Sequence, residues 1–175
     1  MTSLFETHRL FVRHFTPDDL DDFAALCANP DVMITMGDGE TLPRETVARW
    51  IEVCETKYAT RGYGTSAVFE KESGLFVGYC GVVRAPENDF DEVIYAFIPS
   101  AWGKGYATEV ARPMIEYVFR VSSLDTIYAT IAPTNTKSQN VAGKLGMRFE
   151  REWDDDGEIV LVYAITRDEV EKKAS

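Results

Sequence analysis

Glycines at 103 and 105, with Lys104 between them, are the residues of this chain best suited to hold an anion. They follow an apolar, β-forming run, Val93-Ile94-Tyr95-Ala96-Phe97-Ile98, which stops at Pro99, a residue with no N–H to give a central ladder. They precede a helical stripe in which Ala107, Val110, Ala111, Met114, Ile115, Val118 and Phe119 recur at three- and four-residue steps. A strand, a glycine turn and a helix in that order bring the main-chain N–H groups of 103–108 close to a ligand and add the positive end of a helix dipole. Such a corner suits a phosphate or pyrophosphate.

Three uses of a Gly-x-Gly turn compete. A nucleoside-triphosphate loop needs Gly-x-x-x-x-Gly-Lys-Ser/Thr, which this chain lacks. A dinucleotide site needs a third glycine and an acid about 20 residues on, closing the next strand. Asp125 is near that spacing but opens the strand Thr126-Ile127-Tyr128-Ala129-Thr130-Ile131 rather than closing it. The third use is to hold the pyrophosphate of coenzyme A.

Two motifs favour the third. Tyr95 with Trp102-Gly103-Lys104-Gly105-Tyr106-Ala107-Thr108-Glu109 resembles the acyl-CoA motif of the GNAT N-acetyltransferases, in the branch of the ribosomal-protein and spermidine enzymes. Further on, Asn135-Thr136-Lys137-Ser138-Gln139-Asn140-Val141-Ala142-Gly143-Lys144-Leu145-Gly146-Met147 resembles that branch's second motif, Asn-x-x-Ser followed by Lys-Leu-Gly and an apolar residue. The likeness runs from Thr7-His8-Arg9-Leu10 to Tyr163-Ala164-Ile165. It departs at Trp102, where the broader family has Gln or Arg, and at Ala142, where many members carry a tyrosine that serves as general acid.

The resemblance implies an α+β fold: a mostly antiparallel sheet of six to seven strands, splayed between the fourth (91–98) and fifth (125–131), flanked by about four helices. Residues 1–175 would form a single acyl-CoA N-acyltransferase domain. Pantetheine would lie along the backbone of Phe97 and Ile98, where an opened edge leaves N–H and C=O groups to pair with its amides. The pyrophosphate would rest on Trp102, Gly103, Lys104, Gly105, Tyr106, Ala107 and Thr108, with Asn135, Lys137, Asn140 and Lys144 on the cofactor's side.

Acetyl transfer to an amine also needs a neutral nitrogen, a donor for the carbonyl oxygen and a proton for the leaving thiolate. The resemblance implies Glu92 as base and Ser138 as proton donor. Asn135, one helical turn before Ser138, would position the pantetheine arm or a water. The implied reaction is direct acetyl transfer from acetyl-CoA to a primary amine in a ternary complex: a protein N-terminus, a polyamine or another small amine. Two alternatives stay open: a non-catalytic coenzyme A-binding or sensing module, and a dinucleotide-dependent oxidoreductase.

Composition bounds these readings. A chain of 175 residues can bury roughly 70% of its unfolded surface. A net charge of −11 disfavours nucleic-acid backbone and suits a cationic partner. Residues 102–148 carry six basic residues against three acids, a balance of +3 that leaves −14 to the rest, so the positive island coincides with the anion corner. No apolar stretch is long enough for a membrane span and no secretory signal is visible, which points to the cytoplasm, as a monomer or homodimer. Cys27, Cys54 and Cys80 form no close pair and read as core residues. His8 and His14 share a strand face with no third ligand, so no metal is expected.

The remaining elements follow from punctuation and periodicity. A strand at 8–14 precedes a helix capped by Thr16-Pro17 and ended by Asn29-Pro30; a link over 29–42 leads to a helix from Leu42-Pro43 to Arg61-Gly62. Strands near 64–70, 75–84 and 91–98 are joined by turns at Glu72-Ser73-Gly74 and 85–89, an antiparallel meander unlike a doubly wound dinucleotide fold. Helices from 105 to 119 (with Pro113 inside it) and 135 to 145, and strands near 125–131, 147–153 and 158–165, complete the pattern. Asp156-Gly157 signals the last hairpin, whose acids, with the 29–42 link, would face a cationic acceptor.

Overall fold

A computed structural model describes residues 3–84, 90–155 and 157–174. In chain order it contains β1 (Phe5–Glu6), β2 (Leu10–His14), a single 3-10 turn (Pro17–Asp19), α1 (Leu20–Cys27), α2 (Pro30–Met33), α3 (Arg44–Arg61), β3 (Thr65–Glu70), β4 (Phe76–Arg84) and β5 (Asp91–Phe97). A second 3-10 turn (Pro99–Ala101) leads to α4 (Tyr106–Val121), then β6 (Thr126–Ile131), α5 (Thr136–Leu145), β7 (Arg148–Asp155), β8 (Glu158–Thr166) and α6 (Arg167–Ala174).

The strands form one mixed sheet in the order β1-β2-β3-β4-β5-β6-β8-β7. Seven residue pairs join β4 to β5, and six join β6 to β8. Between the parallel β5 and β6 one pair, Glu92 with Tyr128, is made among the described residues. Beyond that pair the two strands part towards their C-terminal ends, so the sheet opens into a V at the splay expected between the strands 91–98 and 125–131.

Strand alternation sorts side chains onto two faces. On one, Val93 and Phe97 join Ile127, Ala129 and Ile131 in a core completed by α4 (Val110, Met114, Val118) and α5 (Ala142, Leu145). On the other, Ala96 joins Phe23, Cys27, Val47, Ile51 and Cys54 of α1 and α3. All three cysteines are buried free thiols. Burial pushes Cys27 up to about 12 and Cys54 up to about 11, so neither is a ready nucleophile.

A buried ion pair ties β2 to the start of α1. Arg13 donates from Nη1 to Asp19 Oδ2 and from Nη2 to Oδ1, each at 2.7 Å, and Thr16 N–H donates to Oδ2 at 2.7 Å. Burial raises the Asp19 carboxyl, but hydrogen bonds from Arg13 and Thr16 outweigh it and hold it below its ordinary value. Its stabilisation is therefore full above the unfolded value of about 3.9 and is lost as pH falls through the lower folded value. Asp19→Asn keeps one acceptor but removes the charge, and should destabilise by about 2 kcal/mol. Thermal unfolding should fall by ~4–8 °C at neutral pH, and the difference from wild type should close in acid; an equal gap at every pH would refute this account.

Among the described residues the sheet has eight strands, not six or seven, because Phe5 and Glu6 pair with Val12 and Phe11. Six α-helices among the described residues replace the expected four, α2 and α6 being the additions. Strand β2 starts at Leu10, so His8 lies in the preceding turn, and His14 stacks on Tyr58 at 3.9 Å. The turn expected at 85–89 and Asp156 lie outside the described residues; Gly157, beside it, has φ 93° as a tight hairpin requires.

Candidate functional site

The anion corner follows directly from its residues. The 3-10 turn after Ile98 lets Trp102 reach back, and its Nε1–H donates to Phe97 C=O at 2.7 Å. Gly103 and Gly105 adopt φ of 75° and 81°, a region that other residues enter at a cost. The first bond of α4 runs from Glu109 N–H to Gly105 C=O, at 3.2 Å, so the N–H groups of Tyr106, Ala107 and Thr108 precede any helical acceptor. A Cβ placed on Gly103 would meet nothing within 4 Å, so the space beside the turn is open.

Two carboxylates hold this corner rigid. Glu109 Oε1 accepts from Thr7 Oγ1 at 2.6 Å and Arg9 N–H at 2.9 Å; Oε2 accepts from Arg9 Nε at 2.8 Å and Nη2 at 2.5 Å. Burial raises Glu109, but those donors outweigh it and the carboxyl stays ionised well into acid. Glu70, at the end of β3, accepts from Tyr106 Oη at 2.5 Å and Lys104 Nζ at 3.3 Å. The Tyr106 hydroxyl above all, with Ser73 and Lys104, lowers Glu70 to about 2. Sequence reasoning assigned no role to Thr7, Arg9, Glu70 or Glu109. The pairs are more than 30 residues apart in the chain, and no local spacing announces them.

Beside the corner, the V offers two different walls. Ile98 gives its N–H to Val77 C=O at 3.0 Å, and its C=O accepts from Ala101 N–H at 2.9 Å. Backbone groups of alternate residues face opposite neighbours. Phe97 and Tyr95 therefore turn their N–H groups to the open side, and of the two expected residues it is Phe97, not Ile98, whose N–H faces the slot. Glu92 occupies the opposite sheet face from Tyr95, where its Oε2 accepts from Thr130 Oγ1 of β6 at 2.6 Å.

Helix α5 starts in the mouth of the V. Asn135 caps it, its Oδ1 accepting from Ser138 N–H at 3.1 Å, so the pair shares the turn as expected but through a cap that holds the Ser138 backbone. Ser138 and the buried Ala142 lie one turn apart on the side facing the sheet. Burial raises Tyr95 above its ordinary value, and the nearby Ser138 side chain offsets only part of that rise. Lys137, Asn140 and Lys144 form an exposed ridge on the same helix. Lys137 Nζ stands 5.3 Å from the Trp102 ring centre, beside the glycine turn. Lys144 is two turns further on, with its C=O accepting from Arg112 at 2.6 Å.

An open sheet edge next to main-chain donors at a helix start is a site for an extended ligand ending in phosphates. A family model described as an acetyltransferase (GNAT) domain matches residues 9–148. The chain belongs to the GNAT acetyltransferase family. The Bacillus subtilis protein YkkB is 34% identical over 133 residues, which cover 74% of this chain and 75% of that one. A solved GNAT acetyltransferase from Bacillus anthracis is 25% identical, covers 93% of this chain and 98% of its own, and gives a TM-score of 0.77. The fold also matches spermidine N-acetyltransferase from Vibrio cholerae in complex with CoA and spermine, at 16% identity, TM-score 0.77, and 93% and 98% coverage.

The resemblance carried by the two glycine and asparagine motifs thus holds, and this acetyltransferase uses acetyl-CoA as its co-substrate. The residues fit that molecule: the open space at Gly103, beside the free N–H groups of 106–108, would admit a pyrophosphate, and the Phe97 edge would pair with pantetheine amides. Among the described residues no group of three His, Cys, Asp or Glu could hold a metal ion. Nor is any described helix long and apolar enough to cross a membrane.

Proposed function

We propose that residues 1–175 form one catalytic domain that transfers acetyl from acetyl-CoA directly to a primary amine, the two substrates meeting from opposite faces of the V. The observation that carries this reading is the division of side chains between the faces. Tyr95 and Ser138 lie on the side of α4 and α5, with the cradle; Glu92 and Thr130 lie on the other. The thioester arm runs along Phe97 from the cradle, and the Phe97 N–H supports the charge that develops on the carbonyl oxygen. Gly103 to Thr108 hold the pyrophosphate, with Trp102, Lys104 and Lys137 close by and Asn140 and Lys144 along the ridge. Ser138 gives a proton to the departing sulfur, and Asn135 fixes Ser138.

The amine approaches over Glu92, which removes its proton. This face also carries half-buried rings: Phe90 lies 4.7 Å from Tyr128 and 5.7 Å from Trp153, ring centre to ring centre. Aromatic faces, together with the acids Glu92 and Glu158 and the net charge of −11, support a cationic acceptor such as a polyamine or a peptide N-terminus. The same charge disfavours binding to a nucleic-acid backbone, and the enzyme is proposed to act in the cytoplasm as a monomer or homodimer, away from the membrane.

The test is release of free thiol from acetyl-CoA across a panel of polyamines, amino acids, aminoglycosides and peptides with different first residues. Turnover on at least one cationic amine is expected. Tight coenzyme A binding with no turnover on any of them would favour a sensing module instead. Thermal protection by NAD(P) but not by coenzyme A would revive a dinucleotide enzyme.

Glu70 offers a separate check on the cradle. Its carboxylate lies against Lys104 and Tyr106, next to the proposed phosphate site. Glu70→Gln removes a negative charge facing a polyanion, and should tighten coenzyme A binding ~3–10-fold at low salt, less at physiological salt. Calorimetry at two ionic strengths measures this. Weaker binding would mean that Glu70 positions Lys104 rather than competing with the ligand.

A further inference from the structure

The glycine turn is held from two sides. On its helix side, Glu70 accepts from Tyr106 and Lys104, Glu109 accepts from Thr7 and Arg9, and the Arg9 guanidinium lies 4.7 Å from the Tyr106 ring centre. These contacts anchor the turn to β3 and to the segment before β2, not to β5. On its strand side the chain makes the 3-10 turn of Pro99–Ala101, and the Trp102 indole folds back across it. Its Nε1–H donates to Phe97 C=O at 2.7 Å. That carbonyl faces the open side of the V, because the next residue, Ile98, gives its N–H to Val77 of β4. At 42% exposed, Trp102 is too open to be explained by core packing. Lys137 of α5 backs its ring, the ammonium 5.3 Å from the ring centre. An indole has one donor and no acceptor, and here that donor joins the phosphate corner to the strand edge beside it.

We propose that Trp102 is a positioning residue that sets the span between the Phe97 edge and the phosphate cradle, so that one ligand is gripped at both ends at once. This inference rests on the reading of those two places as the pantetheine and pyrophosphate subsites. A long ligand gains fully from its second contact only if the two subsites already stand at its own spacing. A loose joint between them lowers the effective concentration of one end at its subsite. The indole bond stiffens that joint, residues 98–101, from within. Its consequence is selectivity for the carrier: a thioester on an arm that ends in a diphosphate is favoured over a short thioester by more than the diphosphate's own affinity.

The test compares the intact wild-type protein with Trp102→Phe and Trp102→Gln, each probed with coenzyme A, pantetheine and inorganic pyrophosphate. Phenylalanine keeps a ring for Lys137 and loses the donor; glutamine loses the ring and keeps a donor of similar reach. Trp102→Phe should weaken coenzyme A ~10-fold by calorimetry. Pantetheine and pyrophosphate, each occupying one subsite and read by thermal shift at millimolar concentration, should bind within about twofold of wild type. Trp102→Gln should hold coenzyme A to within about threefold of wild type. Unchanged coenzyme A binding in Trp102→Phe, or equal losses for all three ligands with a lowered unliganded midpoint, would overturn the proposal and leave the cradle in place. Tighter pantetheine binding in Trp102→Phe would overturn it as well, by showing that the indole competes with the ligand for the Phe97 carbonyl. Coenzyme A that binds wild type no more tightly than its separate parts would overturn the two-subsite reading beneath, and the role of Trp102 with it.

Discussion

Gly103→Asp should weaken acetyl-CoA binding at least ~100-fold and leave the fold standing. The position has φ 75°, a conformation that Asp and Asn tolerate better than other side chains, so the backbone cost stays small. A new Cβ there touches nothing within 4 Å, so the carboxylate projects into the open side of the turn. That space is where the pyrophosphate is proposed to sit. Two like charges ~5 Å apart at an effective dielectric of ~20 repel by ~3 kcal/mol, which is roughly a hundredfold in affinity. Gly103→Asn supplies the control: nearly the same shape and backbone demand without the charge, and a loss of ~10-fold or less. Binding measured by calorimetry, beside thermal midpoints, separates the two. Equal losses in both variants would show that the glycine is needed for its conformation alone, and undisturbed binding in both would remove the cradle from this corner.

The corner could be read from sequence because every feature of it is local. A proline that ends a strand, two glycines at a turn and a stripe at helical spacing are contiguous, and each has a backbone reason. The opening between β5 and β6 came only through the family resemblance, since no local pattern says where a parallel pair stops hydrogen-bonding. The parts that hydrophobic pattern alone does not reveal are of two kinds. Some carry local capping signals. Thr166 and Glu169 form a cap, Thr166 N–H donating to Glu169 Oε2 at 2.9 Å, and they start α6 although that helix has hardly any apolar stripe. Asn29-Pro30 reads as a stop in the sequence, yet Asn29 Oδ1 accepts from Asp31 N–H at 3.0 Å and Pro30 opens α2. Others had no local signal at all. The Arg9–Glu109 and Glu70–Tyr106 contacts depend on which elements become neighbours, and that is settled by the whole sheet. Candidates sharing one helix could be grouped from sequence, but their sorting into inward Ser138 and outward Lys137, Asn140 and Lys144 needed the packing of α5 on β6.

The face on which a group sits decides what its removal should do, and Glu92 gives the sharpest case. Glu92 and Tyr95 are three residues apart, ~10 Å along a strand rising about 3.3 Å per residue, so the carboxylate reaches an amine at the thioester through water rather than by direct contact. An amine of pKa about 10.4 is neutral in roughly one molecule in 2,500 at pH 7, and a positioned base relieves that shortage by ~10²–10⁴. Glu92→Gln keeps an oxygen to accept from Thr130 Oγ1, so the strand pairing at the foot of the V should survive. Activity as kcat/KM for the amine should fall ~100–1000-fold at pH 7. It should then climb about tenfold per pH unit towards pH ~10, as the free amine replaces what the base supplied. KM for acetyl-CoA should not change, because the cradle and the Phe97 edge lie on the other side of the sheet. A pH profile parallel to that of wild type, or a loss under about threefold, would remove Glu92 from the proton path. A raised acetyl-CoA KM with a lowered thermal midpoint would reduce it to a tie between β5 and β6.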